Sequence, residues 1–303
     1  AAPLFVYPVI LAKIACFALF AAAFNLLLGQ VGLLSFGQAA FFGAAAYVTG
    51  WMVKSAGVTP EMGILLGGAA AGALGLLVGF LAIRRSGIYF SMITLALAQF
   101  VYFIFLQAPF TGGEDGMQNI PRGHLFGLVD LTSNLNLYAV AVAVCGLGYL
   151  ALWWIARSPF GYALRAIRDN EARAVSLGYR VDRYKLGAFV ISATFAGIAG
   201  ATKAIVFQIA SLTDISWHMS GEVVMMTLVG GIGTTFGPLA GAAFIIAMES
   251  YLATAGLPVR LFSGAVFIVC VLLFRRGIVG ELQRTFRLPG KPAPAGGAVR
   301  REA

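Results

Sequence analysis

The chain has 303 residues, 60% of them hydrophobic and only 11% charged, with a formal net charge of +9. Soluble domains carry about a quarter charged residues, so this composition excludes an ordinary soluble fold and points to a membrane protein. The Lys and Arg residues stand in short blocks between long apolar runs, so the excess positive charge reads as membrane topology and not as a nucleic-acid surface.

A bilayer core takes about 20 apolar residues per helix. Runs of that kind lie at 4–28, 38–54, 62–83, 87–108, 135–156 and 186–208, followed by a shorter pair at 220–232 and 237–255 and a last run at 260–275. The expected fold is an all-α polytopic membrane bundle of about eight or nine transmembrane helices, some short or broken. The first run is too long for a signal peptide and has no basic segment before it, so it reads as a spanning helix. Arg84 and Arg85 mark one inside loop, and Arg275, Arg276 and the basic tail mark another. The loop 109–134 carries Glu114, Asp115 and Asp130 against Arg122 and belongs outside. Parity then requires residues 220–255 to cross twice, with the amino terminus outside and the carboxyl terminus inside. On this reading residues 1–276 form the membrane domain and 277–303, with Pro289, Pro292 and Pro294, a disordered cytoplasmic tail.

Small residues mark two helices. Gly63, Gly67, Gly68, Gly72, Gly75 and Gly79 give GxxxG spacings on one, and Ser192, Ala196 and Gly200 give a similar face on another. Such faces let backbones approach closely, within one bundle or across a seam to a second subunit. Cys16, Cys145 and Cys270 fall inside apolar runs and read as packing residues. His124 and His218 have no carboxylate or thiol at ligand spacing, so no metal site is expected. Lys13, Lys203, Glu222 and Glu249 are the intramembrane charges; Lys203 and Glu249 lie near predicted outer ends, where snorkelling explains them.

Two Gly-rich breaks interrupt the runs. "NLLLGQVGLLSFGQAAFFG" contains Asn25, Gln30, Ser35 and Gln38, and "LVGGIGTTFGPLAGAAF" contains Gly231, Gly233 and Gly237. Unwound backbone at membrane depth must be buried in protein or line an aqueous cavity, so these seven residues are candidates for a translocation path. The other reading is a pair of tight turns at the inner surface. No GxxxxGK[ST] phosphate loop, HExxH or GxSxG motif occurs, and neither intramembrane carboxylate is central. The chain therefore lacks both an ATP motor and an ion-coupling relay of its own.

Much of the charge gathers in "RSPFGYALRAIRDNEARAVSLGYRVDRYK", residues 157–185. Ser158 is a good N-cap, Pro159 suits the first helical position, and Gly178 is a natural stop, which predicts one cytoplasmic helix over about 158–178. Phe160, Leu164, Ile167 and Ala174 recur on one face; Arg165, Asp169 and Arg173 form an i, i+4 ladder on the other. A basic amphipathic helix could lie on the inner leaflet, but the mixed-sign face points to a protein partner.

From this stretch onward to "ATFAGIAGA", and in "TGGEDGMQNIPR", the two Gly-rich breaks and the closing "LFRRGIVG", the chain resembles the LivM-type permease subunits of branched-chain amino acid ABC transporters. The resemblance implies a bacterial inner-membrane complex: this chain, a second homologous permease, two ATP-binding subunits and a periplasmic substrate-binding protein. ATP and Mg would be bound by the partner subunits, with no cofactor in this chain and no nucleic-acid partner. Phe160, Leu164, Arg165, Ile167, Arg168, Asp169, Glu171, Arg173 and Gly178 would then couple to an ATPase subunit. Glu114 and Asp115 would face the binding protein, or else the loop that carries them is only a lid. Glu171, Ala172 and Gly178 resemble the docking loop of ABC permeases in general, although the Glu-to-Gly spacing is one longer and no Leu-Pro follows. Relatives with similar signatures carry urea, short amides or aromatic amino acids. An ATP-independent carrier is the competing class, disfavoured by the scarcity of membrane carboxylates.

Overall fold

The structure is a computed structural model that describes residues 8–125, 129–130 and 133–254, together with 262, 264–265, 267–268 and 277–279. The run expected at 260–275 and the tail beyond residue 279 lie almost wholly outside the described residues. Ten α-helices are present among those described: α1 Pro8–Asn25, α2 Gln38–Ser55, α3 Pro60–Ala82, α4 Ile88–Gln107, α5 Asn134–Arg157, α6 Pro159–Asp169, α7 Glu171–Ser176, α8 Val181–Phe207, α9 Trp217–Gly230 and α10 Gly237–Thr254. Six are long and apolar enough to cross a membrane: α1 with a π-helical extension to Val31, α3, α4, α5, α8 and α10. The fold is an all-α polytopic membrane bundle.

α1 and α8 run through the middle of the bundle, whereas α4 and α5 keep most of their surface outside. Leu65 and Leu77 on α3, Phe100 on α4 and Leu147 and Trp154 on α5 point outward. An apolar exterior of this kind is what lipid demands. The interior is built from small residues. An added Cβ at Gly67 would meet Thr49 and Ala45 of α2, one at Gly72 would meet Thr194 of α8, and one at Gly75 would meet Ala193 of α8. The α3 stripe is therefore spent within this chain, on α2 and α8. Gly200 of α8 is tighter still, with a Cβ position 1.9 Å from the Phe42 carbonyl oxygen. Ser192 on α8 donates to the Ala23 carbonyl at 2.6 Å.

α6 and α7 mark one end of the bundle. At the far end residues 109–125 of the next long loop fold back over the helix ends. Its Met117–Gln118 strand (β1) pairs antiparallel with Ile209–Ala210 (β4), and His124–Leu125 (β2) pairs with Val129–Asp130 (β3). Lys54 donates to the Gln118 carbonyl at 2.8 Å, and Arg122 donates to the Val206 carbonyl at 2.9 Å. α9 and α10 pack against each other as a helical hairpin; α10 is long and apolar enough to cross a membrane, whereas the 14-residue α9 is not, so the double crossing expected of this region has only one full-length span.

Candidate functional site

The first break begins where α1 changes its hydrogen-bond register. Residues Leu26–Val31 form a π-helical turn, closed by Gly32 in the left-handed region at φ 78°, with Leu33 N–H donating to the Leu27 carbonyl. The chain then doubles back. Ser91 donates to the Leu34 carbonyl at 2.6 Å, Thr94 Oγ1 accepts from Phe36 N–H, and Ser35 Oγ accepts from Gly37 N–H. α2 starts at the fully buried Gln38, whose Oε1 accepts from Ser192 Oγ at 3.4 Å, near the middle of α8. The backbone groups freed by the break thus find partners inside the protein, as an unwound segment in a membrane requires.

The two breaks meet. Asn25 Oδ1 accepts from Gly233 N–H at 2.8 Å and Asn25 Nδ2 donates to the Thr234 carbonyl at 3.1 Å. Gly29 is packed so closely that an added Cβ would lie 2.8 Å from Gly233 Cα. The Tyr149 hydroxyl donates to the Thr235 carbonyl from α5. Gly231 and Gly233 take φ of 118° and 71°, conformations that side chains rarely adopt. Gly277 presses on the same turn, with a Cβ position 2.3 Å from Gly231 Cα. A cavity of about 50 Å³ remains, lined by Asn25, Gln30, Tyr149, Trp153, Gly233 and Thr235 among others. It has room for water and not for an amino acid. Gln30 Oε1 is buried with no protein partner.

Of the seven candidate path residues, Asn25, Gln30 and Gly233 come together at this junction. Gly231 and Gly237 shape the turn behind it. Ser35 and Gln38 lie apart, packed against α4 and α8. The junction sits at the α6 end of the bundle, since Arg168 of α6 donates to the Gly29 carbonyl.

The single helix expected over about 158–178 is two. Asn170 adopts φ −158°, ψ 96° and its side chain accepts from Arg173 N–H at 2.9 Å, so it ends α6 and caps α7. Asn competes with a helix interior in this way because its side chain satisfies a free amide at a helix start. The Ser158 side chain caps α6 by accepting from Gly161 N–H, Pro159 occupies the first turn, and Gly178 follows α7 at φ 85°. The break also dissolves the expected Arg165–Asp169–Arg173 ladder. Arg165 donates to the carbonyls of Ala156 and Gly161, Asp169 pairs with Arg168 at 3.0 Å, and Arg173 lies on a separate helix.

The apolar face is consumed within the chain. Leu164, Ile167 and Ala174 are buried, the last two against Val181 and Tyr184 of α8, and Phe160 stacks on Tyr184 at 5.7 Å. Glu171 pairs at 2.7 Å with Lys185, a side chain only 7% exposed. The large apolar groups left outward are Tyr162, Val175, Leu177 and Tyr179. Sequence periodicity placed Ala174 correctly on the buried face but did not single out the exposed Val175 and Leu177.

At the far end Glu114 and Asp115 stand exposed on a 3-10 turn between Gly112 and Gly116. Lys203 does not snorkel as expected. It is paired with Asp214, which the sequence reading missed, and its ammonium lies over the rings of Phe17 and Phe42. Cys16 and Cys145 are buried side by side with their sulfurs 3.9 Å apart, while Cys270 lies outside the described residues.

Comparison with known proteins gives a consistent picture. A family described as branched-chain amino acid transport system / permease component matches residues 8–273. The high-affinity branched-chain amino acid transport system permease protein LivM of Salmonella typhimurium and that of Escherichia coli are each 30% identical over 245 residues, covering 73% of this chain and 58% of the relative. The autoinducer 2 import system permease protein LsrC of Klebsiella pneumoniae is 30% identical over 63% of this chain and 54% of its own length. The chain thus spans less than two thirds of the length of these relatives. No solved structure matches it.

Proposed function

We propose that this chain, which belongs to the permease-component family of branched-chain amino acid transport systems, is the membrane-spanning permease of an ATP-driven importer of branched-chain amino acids. The observation that carries the proposal is the family match, which extends through the whole bundle from α1 to α10 and through the α6–α7 projection. A chain with no phosphate loop needs its motor on another subunit. α6 and α7 offer such a motor a short helical platform. Their apolar faces fix them to α8, while Val175, Leu177 and Tyr162 remain available outward. The working complex comprises two ATP-binding subunits that hold ATP and Mg, a second homologous permease and a periplasmic binding protein, in a bacterial inner membrane. Glu114 and Asp115 face the binding protein, and the Asn25–Gly233 junction forms the inner end of the translocation path.

The test is reconstitution of the complex in liposomes with labelled leucine, isoleucine or valine. Uptake should require ATP inside and loaded binding protein outside, and should survive collapse of ion gradients. Urea, short amides, aromatic amino acids and autoinducer 2 complete the panel, the last because LsrC relatives are as similar as 30% identity. Uptake driven by an ion gradient without ATP would establish a secondary carrier instead.

A further inference from the structure

Arg168 lies at the surface of α6, with 39% of its side chain exposed, yet its guanidinium reaches the first break. One nitrogen of its guanidinium donates to the Gly29 carbonyl, and two others hold Asp169 Oδ1 at 3.1 and 3.0 Å. Its Cγ is the group that a Cβ on Gly32 would meet, at 2.9 Å. Gly29 and Gly32 are the body and the stop of the π-helical turn Leu26–Val31. On its other side the same turn is fastened to the α9–α10 connection, through the two hydrogen bonds of Asn25 and the packing of Gly29 on Gly233. One six-residue turn therefore joins the α6 projection to the second break.

A π turn carries an extra residue relative to an α turn, and its bonds run to the residue five back. Returning it to α register would rotate one flank by about 100° and shift it by about 1.5 Å. Either change carries the Gly29 carbonyl off Arg168 and the Asn25 amide off Gly233. The π and α registers are two discrete arrangements of one element, which transmission between separated sites requires.

We infer that the Leu26–Val31 turn is the switch between the α6 projection and the junction, and that Arg168 is the positioning residue that holds it in π register. Arg168 holds the turn through the carbonyl of Gly29. When α6 moves, Arg168 moves with it, and the turn and the Asn25 clamp change together. The source of the movement rests on the importer reading; the linkage itself is a property of this chain.

The experiment uses the assembled complex of permeases, ATPases and binding protein, with Cys16, Cys145 and Cys270 replaced by Ala and Gln30→Cys introduced into the cavity. Labelling by a water-soluble maleimide is timed without nucleotide and with ATP trapped by hydrolysis-deficient ATPase subunits. The parent should label at rates that differ about fivefold or more between the two states, the low end of allosteric coupling. Arg168→Met should abolish the difference and Arg168→Lys, which keeps one charged donor but not the fork, should restore part of it. A parental difference that persists in Arg168→Met overturns the inference, as does a parent whose labelling ignores nucleotide. Should Arg168→Met fail to assemble, an undiminished difference in Arg168→Lys overturns it equally. The importer reading is judged separately in the same preparation: it fails if loaded binding protein does not stimulate ATP hydrolysis by the parent.

Discussion

Lys203 and Asp214 form an ion pair inside the bundle, with side chains only 13% and 1% exposed. The pair closes the connection between α8 and α9 against α1 and α2, because the Lys203 ammonium also lies 6.0 and 5.7 Å from the ring centres of Phe17 and Phe42. A charge so placed is tolerated only with its partner. Removing one member leaves the other buried and uncompensated, at a cost of about 3–5 kcal/mol. Lys203→Met and Asp214→Asn should each lower the thermal denaturation midpoint of the purified protein clearly. The double variant Lys203→Met/Asp214→Leu should recover most of the loss. A double variant no better than the singles would mean that the pair itself, and not charge burial, sets the stability.

Glu171 and Lys185 are a different case, since Glu171 is half exposed while Lys185 is nearly sealed. The bond fastens α7 to the start of α8. With solvent screening on one side, Glu171→Gln should weaken that attachment by about 1 kcal/mol. Cleavage by trypsin after Arg173 and Arg180 should then run several-fold faster in detergent. Glu171→Leu paired with Lys185→Met should return cleavage to the parental rate. If Glu171→Gln cleaves no faster, the attachment is carried by the apolar face alone.

Gly178 separates conformational strain from steric conflict. Its φ of 85° lies in the left-handed region, yet nothing lies within 4 Å of an added Cβ. Gly178→Ala should therefore cost about 1–2 kcal/mol through the backbone alone. Gly178→Asn should cost less, because Asn tolerates this region. Hydrogen exchange over residues 171–180 measures both, and equal protection in the Ala variant and the parent would remove the constraint.

Gly200 and Gly146 make a matched pair for packing. An added Cβ at Gly200 would strike the Phe42 carbonyl, whereas one at Gly146 meets nothing within 4 Å. Gly200→Ala should force α8 off α2 and cost about 1–3 kcal/mol or more. Gly146→Ala should be neutral or slightly stabilising. Membrane-inserted yield and thermal midpoint of the two variants test the contrast; similar behaviour would show that α8 and α2 have room to separate.

The long apolar runs made the helices legible because the bilayer fixes both length and composition. Ser158, Pro159 and Gly178 announced their turns, since capping and left-handed conformations select residue types locally. That Asn25 belongs to one unit with Gly233 was legible only as two interruptions with polar or flexible residues in them. Their bond joins segments far apart in the chain, and nothing in either segment states the pairing. Asn170 did carry a local signal, an N-cap residue with Glu171 directly after it, but the surrounding helical period masked it. Asp214 was missed because it lies beyond the predicted span, in the turn that brings it back beside Lys203.

The short ladder between Met117–Gln118 and Ile209–Ala210 has a consequence for biosynthesis. Its first strand leaves the ribosome well before its second, with α5, α6, α7 and α8 between them. During that interval the first strand is exposed at the far side of the membrane with its edge unpaired. The ladder can close only if α8 enters the membrane in the correct polarity, because an inverted α8 would leave Ile209–Ala210 on the opposite side of the bilayer. Closure of the cap thus depends on the polarity with which α8 has been inserted.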